Sequence, residues 1–330
     1  MATPIWGTNT LTALSNRHLM KYITDVVFNA SPITFRLKAR NKDVVKGGLW
    51  IEQPWMYAKP NSGGWYTGPE ILTTVPFDVV QDGSFPWAQL YNNVTVDGLT
   101  LNQSESDEKA MDYLTAQFEM AKLDWLDTLA VGFWSDGSNP KSIIGINAAV
   151  DNGTVAASYG GITRSTNTWL NAQVDSTTTT MTLATLNALF GACTIGGRAP
   201  TVIAGDRANY IRYQNLNQAP SSSGAVFNQF KNVAMVDQQF ASAGFDHLMY
   251  NNVPWLCDDH IDTVNATGDG TLFFLNEEYW TFVVGQGGNF VIEDFVKPPN
   301  QDAMTAIMKL YAQLICANPA RQGKFTKLSA

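Results

Sequence analysis

Residues able to do chemistry crowd together at one place in this chain. Cys257, Asp258, Asp259, His260 and Asp262 fall within six positions. Thiolate, imidazole and carboxylate are the donor types that hold zinc or a related cation. A closed site needs a second group of ligands at matching spacing, and none follows. His18 and His247 stand alone. The run therefore reads as an acidic turn beside a cysteine and a histidine, with no metal expected. Asp269-Gly270-Thr271 lacks the ligand spacing of a calcium loop. Gly285-Gln286-Gly287-Gly288 follows the apparent strand Thr281–Val284, but a phosphate-binding glycine turn must open a helix. Asn289–Phe295 reads instead as another strand, so a hairpin turn is expected there. The Gly-x-Ser-x-Gly elbow of acyl-transfer enzymes is absent. The acidic pairs Glu277-Glu278 and Glu293-Asp294 are sequence neighbours, and neighbours in a strand point to opposite faces. No catalytic residue and no cofactor is assigned.

One basic stretch remains. Arg36, Lys38, Arg40 and Lys42 occupy alternate positions and would share one face of an extended segment. Such a face can meet nucleic acid or an acidic protein surface. The chain has 21 Lys and Arg against 29 Asp and Glu, a formal charge of -8. That balance excludes a generally basic nucleic-acid binder and favours a protein contact.

The elements that must position these groups come from periodicity. The chain has 330 residues, 45% hydrophobic and only 15% charged. Soluble domains average about 25% charged. The shortfall fits a protein that buries surface by self-association, ahead of an ordinary neutral polar surface. No signal peptide opens the chain, and no apolar run is long enough to span a membrane. Cys193, Cys257 and Cys316 are odd in number and widely spaced, which fits reduced thiols in a cytoplasm. Residues 1–48 read as an irregular arm, with a short helix near Leu11–Met20. Residues 49–98 carry strand signals, turn punctuation and four tryptophans, Trp50, Trp55, Trp65 and Trp87. The choice there is between a small antiparallel sheet and a long projecting hairpin covered by other subunits. Met111, Leu114, Phe118, Ala121, Trp125 and Leu129 recur every three or four residues. They predict one amphipathic helix over 104–131, capped by Asn102, Ser104 or Ser106 and about 40 Å long. Trp169 is expected in a strand. Residues 182–194 and about 207–213 are expected to be helical. Short strands are expected at Thr201–Ala204, Thr271–Leu275 and Tyr279–Val284. In the tail, Met304, Ala306, Met308, Leu310, Ala312, Leu314 and Cys316 take every second position, the period of a strand with one apolar face, although Ile307, Tyr311 and Ile315 blur it and a helix is the alternative.

The order of these elements, with several stretches, resembles the major capsid proteins of tailed double-stranded DNA bacteriophages. Those stretches include Phe85-Pro86-Trp87-Ala88-Gln89-Leu90-Tyr91 and Tyr159-Gly160-Gly161-Ile162-Thr163-Arg164-Ser165 with Trp169. Thr201-Val202-Ile203, Thr271–Asn276 and the tail Leu314–Gly323 complete the set. Encapsulating protein shells share the fold. The resemblance implies an α+β subunit with an N-terminal arm over 1–48 and an extended β-hairpin loop over 49–98. A peripheral domain would combine 99–195, including the spine helix 104–131, with 290–330; an axial domain would span 196–289. It further implies self-assembly into hexamers and pentamers of an icosahedral shell, made in the host cytoplasm and enclosing double-stranded DNA without sequence-specific contacts. A separate scaffolding protein, a portal protein at one vertex and a decoration protein are the implied partners. No membrane is involved. Trp50, Trp55, Trp65 and Trp87, with Arg36, Lys38, Arg40 and Lys42, are the candidate interface residues. Met111, Leu114, Phe118, Trp125 and Leu129 are the candidate packing face of the spine helix. The competing expectations are a cargo shell, a soluble α/β enzyme with an acidic cleft, and a carbohydrate-binding or adhesive module using exposed aromatics.

Overall fold

Serine followed by proline sets the first element. Ser31 Oγ accepts the Thr34 amide at 3.2 Å, and Pro32 takes the first helical position, where a missing N–H costs nothing. The result is α1 (Pro32–Arg40), so this basic stretch is helical and not extended. Positions 36 and 40 share a helix face and position 38 does not, which removes the expected strip of alternate charges. The computed structural model describes residues 31–40, 42–59, 63–71, 76, 78–99, 107–218, 247–261, 270–289, 291–297, 299 and 301–328. The expected helix near 11–20, the three candidate caps of the long helix and Asp262 lie outside the described residues. So do the side chains of Lys38, Arg40, Met111 and Leu114.

Two sheets organise the rest. The first is built on β14 (Ala303–Cys316), the strand announced by the alternating tail. Ala306, Met308, Leu310, Ala312 and Leu314 are buried, while the intervening positions 303–311 are only partly covered or exposed. Along one edge β4 (Ala88–Asp97) pairs antiparallel, from Ala88 opposite Ala312 to Asp97 opposite Ala303. β12 (Trp280–Gly285) and β13 (Val291–Ile292) pair with β14 in succession, at 312–316 and then 308–309. The glycine segment between them is therefore no hairpin turn, because both strands run the same way along one partner. It is a bulge: the Gly288 carbonyl accepts the Tyr311 amide at 2.9 Å, and a Cβ on Gly288 would stand 2.2 Å from the Tyr311 ring. β1 (Lys42–Val45) closes this sheet, parallel to β12.

The second sheet has the order β7 (Gln173–Asp175), β15 (Gly323–Leu328), β11 (Gly270–Leu275), β8 (Val202–Gly205), β10 (Val253–Cys257), β9 (His247–Tyr250). Every residue of β8 and β11 is buried, as befits central strands covered on both faces. Val202, Ala204, Leu256 and Phe273 face one core, shared with the first sheet. Ile203, Trp255, Leu272 and Phe274 face a second, shared with α4 (Leu183–Cys193) and α5 (Arg207–Gln218). α4 begins with a Thr182–Thr185 capping box.

The long helix α2 (Asp107–Phe133) has 27 residues, about 40 Å at 1.5 Å per residue. Trp125, Leu129 and Phe133 lie four apart and are buried, so one stripe of α2 enters the first core. Phe118 is half-buried against Phe295. Asn92 on β4 bonds the Ala121 carbonyl at 3.0 Å and Asp124 at 2.8 Å, fixing the helix along the sheet edge. A short helix α3 (Ile146–Ala149) follows, and β5 (Ser158–Tyr159) pairs with β6 (Ile162–Thr163). Trp169 lies in a 3-10 turn, Thr168–Leu170, and not in a strand.

Candidate functional site

β2 (Ile51–Met56) and β3 (Val80–Phe85) form an antiparallel hairpin. Its root is locked into the body. Trp55 Nε1 donates to the Ala317 carbonyl at 3.0 Å, and the Ser84 amide donates to the Gly160 carbonyl at 3.0 Å. Trp55 packs against Phe85, Tyr159 and Trp169, with centroids 6.1–6.2 Å apart. Gly160 takes a φ of +58°, and a Cβ there would sit 2.9 Å from Trp55, so the turn and the indole fit only with glycine.

Away from the root the hairpin is bare. Met56, Trp65, Tyr66, Ile71 and Val80 are exposed, with Trp65 and Ile71 essentially fully so. Leu49 and Trp50 extend the patch. Large apolar side chains left in solvent in such number along the described residues of one hairpin mark an interaction surface. Structure thus divides the four tryptophans. Trp55 is a core residue of its own chain and not free to anchor a neighbour. Trp87 is half-buried and donates to the Gly48 carbonyl at 2.9 Å. Trp50 and Trp65 are open.

The basic residues divide too. Arg36 is buried and its Nε pairs with Glu277, which is itself buried. Glu277 Oε2 also accepts the Thr201 hydroxyl at 2.9 Å. With Ile33 and Leu37 buried beside it, Arg36 fastens α1 to the body. Lys42 reaches Asn289 Oδ1 at 2.8 Å on the surface.

The Cys257–His260 run has a third role. Burial pushes the Cys257 thiol up to about 11, far from a reactive thiolate. Asp259 pairs with Arg207 at 2.8 Å. His260 is buried between two carboxylates, with Nδ1 3.0 Å from Asp258 and Nε2 2.8 Å from Asp127 on α2. Asp258 Oδ2 accepts the Ser31 hydroxyl at 2.5 Å and the Trp134 indole at 3.1 Å. This node joins the start of α1, the end of α2 and the end of β10. Among the described residues no three His, Cys, Asp or Glu side chains are grouped to hold a metal ion.

The Asp258 hydrogen bond, opposed by burial and aided by Asp127, raises His260 from 6.5 to about 9. A raised histidine stabilises the fold while protonated. Its contribution is complete below about 6.5 and is lost as pH rises through about 9. Chemical denaturation of wild type and His260→Gln should therefore show a gap of roughly 2–3 kcal/mol near neutrality and below. The gap should close above about pH 10. A gap constant with pH would mean His260 acts by packing alone.

Sequence reasoning missed this node and a second buried polar cluster of Asp151, Arg164 and Lys324. Polar residues inside a fold carry no periodic signal.

No protein-family profile and no curated protein matches the sequence. Solved structures do match in fold. A chain of the cyanophage A-1(L) capsid asymmetric unit superposes with a TM-score of 0.67 at 13% identity, covering 99% of this chain and 100% of that one. The capsid of Myoviridae phage XM1 gives 0.58 at 10% identity, covering 99% and 100%. The holo-SrpI encapsulin complex of Synechococcus elongatus PCC 7942 gives 0.54 at 10%, covering 93% and 92%. The α+β fold of this chain is that of tailed-phage major capsid proteins, with an encapsulin among its structural neighbours.

Proposed function

We propose that this chain is the structural subunit of a viral shell, a non-enzymatic major capsid protein. Subunits gather into hexamers and pentamers that close an icosahedral shell around double-stranded DNA. The observation that carries this reading is the β2–β3 hairpin: rooted in its own core by Trp55, it holds Trp65, Tyr66 and Ile71 in solvent. A fold matched end to end by capsid subunits supports it. The net charge of -8 suits a shell that contains DNA without gripping it, with counterions screening the repulsion over about 8–10 Å. A scaffolding protein during assembly, a portal at one vertex, a decoration protein outside and assembly in the host cytoplasm complete the proposal.

Light scattering and electron microscopy of the purified protein, alone and with a scaffold expressed from the same source, test it. Closed particles of uniform diameter are expected. Monomers or small oligomers under every condition would sink the shell reading. Uniform particles filled with a protein cargo, and free of DNA when isolated from their native source, would replace the virion with an encapsulating compartment.

A further inference from the structure

Side chains hold α1 to the body. Ser31 Oγ donates to Asp258 and the Arg36 guanidinium pairs with Glu277, with Ile33 and Leu37 buried beside them. Among the described residues no backbone hydrogen bond joins α1 to either sheet. β1, which follows it, is different, because Lys42–Val45 run in register with Phe282–Gly285. The other walls around Asp258 are firm as well. α2 enters the first core through Trp125, Leu129 and Phe133, and β10 is paired on both edges. Of the three elements that meet at Asp258, α1 is the one that can leave without breaking a strand or the long helix.

A proton keeps it in place. His260 Nδ1 stands 3.0 Å from Asp258 and Nε2 2.8 Å from Asp127, so each ring nitrogen faces a carboxylate. Both contacts are hydrogen bonds only when both nitrogens carry hydrogen, which is the imidazolium. A neutral ring has one N–H and turns a lone pair toward the other acid. The ring is not free to swing away, because the His260 amide donates to Asp258 Oδ1 at 3.1 Å. The Asp258 side chain has no exposed surface, so without the imidazolium it is a buried anion stripped of its counter-charge.

No neighbouring charge replaces that proton. From α2 the facing group is Asp127, itself an acid, and from α1 it is the uncharged Ser31 hydroxyl, Arg36 being paired with Glu277. In the turn Asp259 is paired with Arg207 of α5 at 2.8 Å. Burial holds the Cys257 thiol, with Asp259, Arg207 and Asp206 near it, up at about 11.

We propose that α1 is a clasp released by deprotonation of His260, opening as a unit while both sheets stay folded. The proton leaves by way of Asp127, whose side chain is 34% exposed where His260 and Asp258 are closed off. Water then reaches Asp258 past Ser31. The Asp258 hydrogen bond, opposed by burial and aided by Asp127, raises His260 from 6.5 to about 9 in the closed form. The bias toward closure is therefore complete below about 6.5 and lost as pH rises through about 9. The clasp also sets where residues 1–30 join the folded body.

The inference stands apart from the shell reading and is tested on free subunits of the full chain. Hydrogen exchange read by mass spectrometry at pH 7 and pH 10, corrected for the intrinsic rate, compares residues 34–40 with β11 and β14. Protection at 34–40 should fall roughly tenfold or more between the two, while β11 and β14 keep theirs. Asp127→Asn removes one of the two facing carboxylates and should lower the pH midpoint of release by about one unit. His260→Gln should be released already at pH 7, with no further change to pH 10. Protection at 34–40 that holds to pH 10, or falls only together with β11 and β14, overturns the proposal. So does an Asp127→Asn midpoint equal to that of wild type, which would place the titrating group elsewhere. Wild type and Asp127→Asn decide the matter, so a His260→Gln chain that fails to fold does not spoil the test.

Discussion

Replacing Glu277 with alanine will destabilise the folded chain by roughly 3–5 kcal/mol, the usual cost of breaking a buried ion pair from one side. Arg36 and Glu277 are 7% and 1% exposed, so removing the acid takes a buried counter-charge from a guanidinium that water does not reach. The Thr201 hydroxyl and the Glu277 amide also belong to this node, and Thr201 loses its acceptor as well. The damage should not stay local. Arg36 sits between Ile33 and Leu37 on the inner face of α1, and Ser31 at the same helix start reaches Asp258. Loss of the pair should loosen α1 first. Hydrogen exchange of the amides at 34–40 should rise before those of β11 or β14. The double variant Arg36→Met with Glu277→Leu separates charge from shape. It should recover most of the lost stability, since two apolar groups of similar volume need no partner. Equal destabilisation by the double and the single variant would show that the pair contributes a net attraction and not merely mutual neutralisation.

That pair also shows where sequence reading ends. The alternation of Arg36, Lys38, Arg40 and Lys42 suggested an extended strip, whereas the structure starts a helix at Ser31-Pro32. Helical and extended readings compete over so short a segment, and the cap decides between them. Long periodic elements were legible: α2 and β14 appear close to where their apolar repeats placed them. Their signal is strong because one face of each enters a continuous core. Gly285–Gly288 was misread because glycine marks a bulge and a hairpin turn alike. Only the partner strand tells them apart, and β14 lies far along the chain. Trp55 and Trp65 are the same residue type in the same hairpin, one buried and one bare. No local pattern distinguishes them, since burial of Trp55 depends on Tyr159 and Trp169 a hundred residues later. No local pattern marks Arg164 and Lys324 as buried either.

Changing Met56, Trp65 and Ile71 together to serine should leave the subunit folded and abolish shell formation. Each side chain is at least 69% exposed, so the isolated fold owes it little. Surface substitutions of this kind usually move stability by less than about 0.5 kcal/mol. Assembly is different if the shell reading holds. Burying one large apolar side chain contributes about 1.5–3 kcal/mol, so three would remove at least roughly 4 kcal/mol per subunit contact. That is on the order of a thousandfold in association constant. A closed shell repeats the loss at every contact, and the concentration needed for assembly should exceed what the protein can reach in solution. Trp55→Ala supplies the opposite pattern. It empties a site packed by Phe85, Tyr159 and Trp169, and should cost about 3–5 kcal/mol of subunit stability before assembly is even considered. Thermal melting and light scattering on both variants therefore cross. The serine triple should melt like wild type and scatter as free subunits, whereas Trp55→Ala should melt early. A serine triple that assembles at wild-type concentrations would mean that the bare hairpin lies outside the subunit contacts. The driving surface would then have to be sought elsewhere, with the exposed run Val291, Ile292, Phe295 and Val296 as the next to mutate.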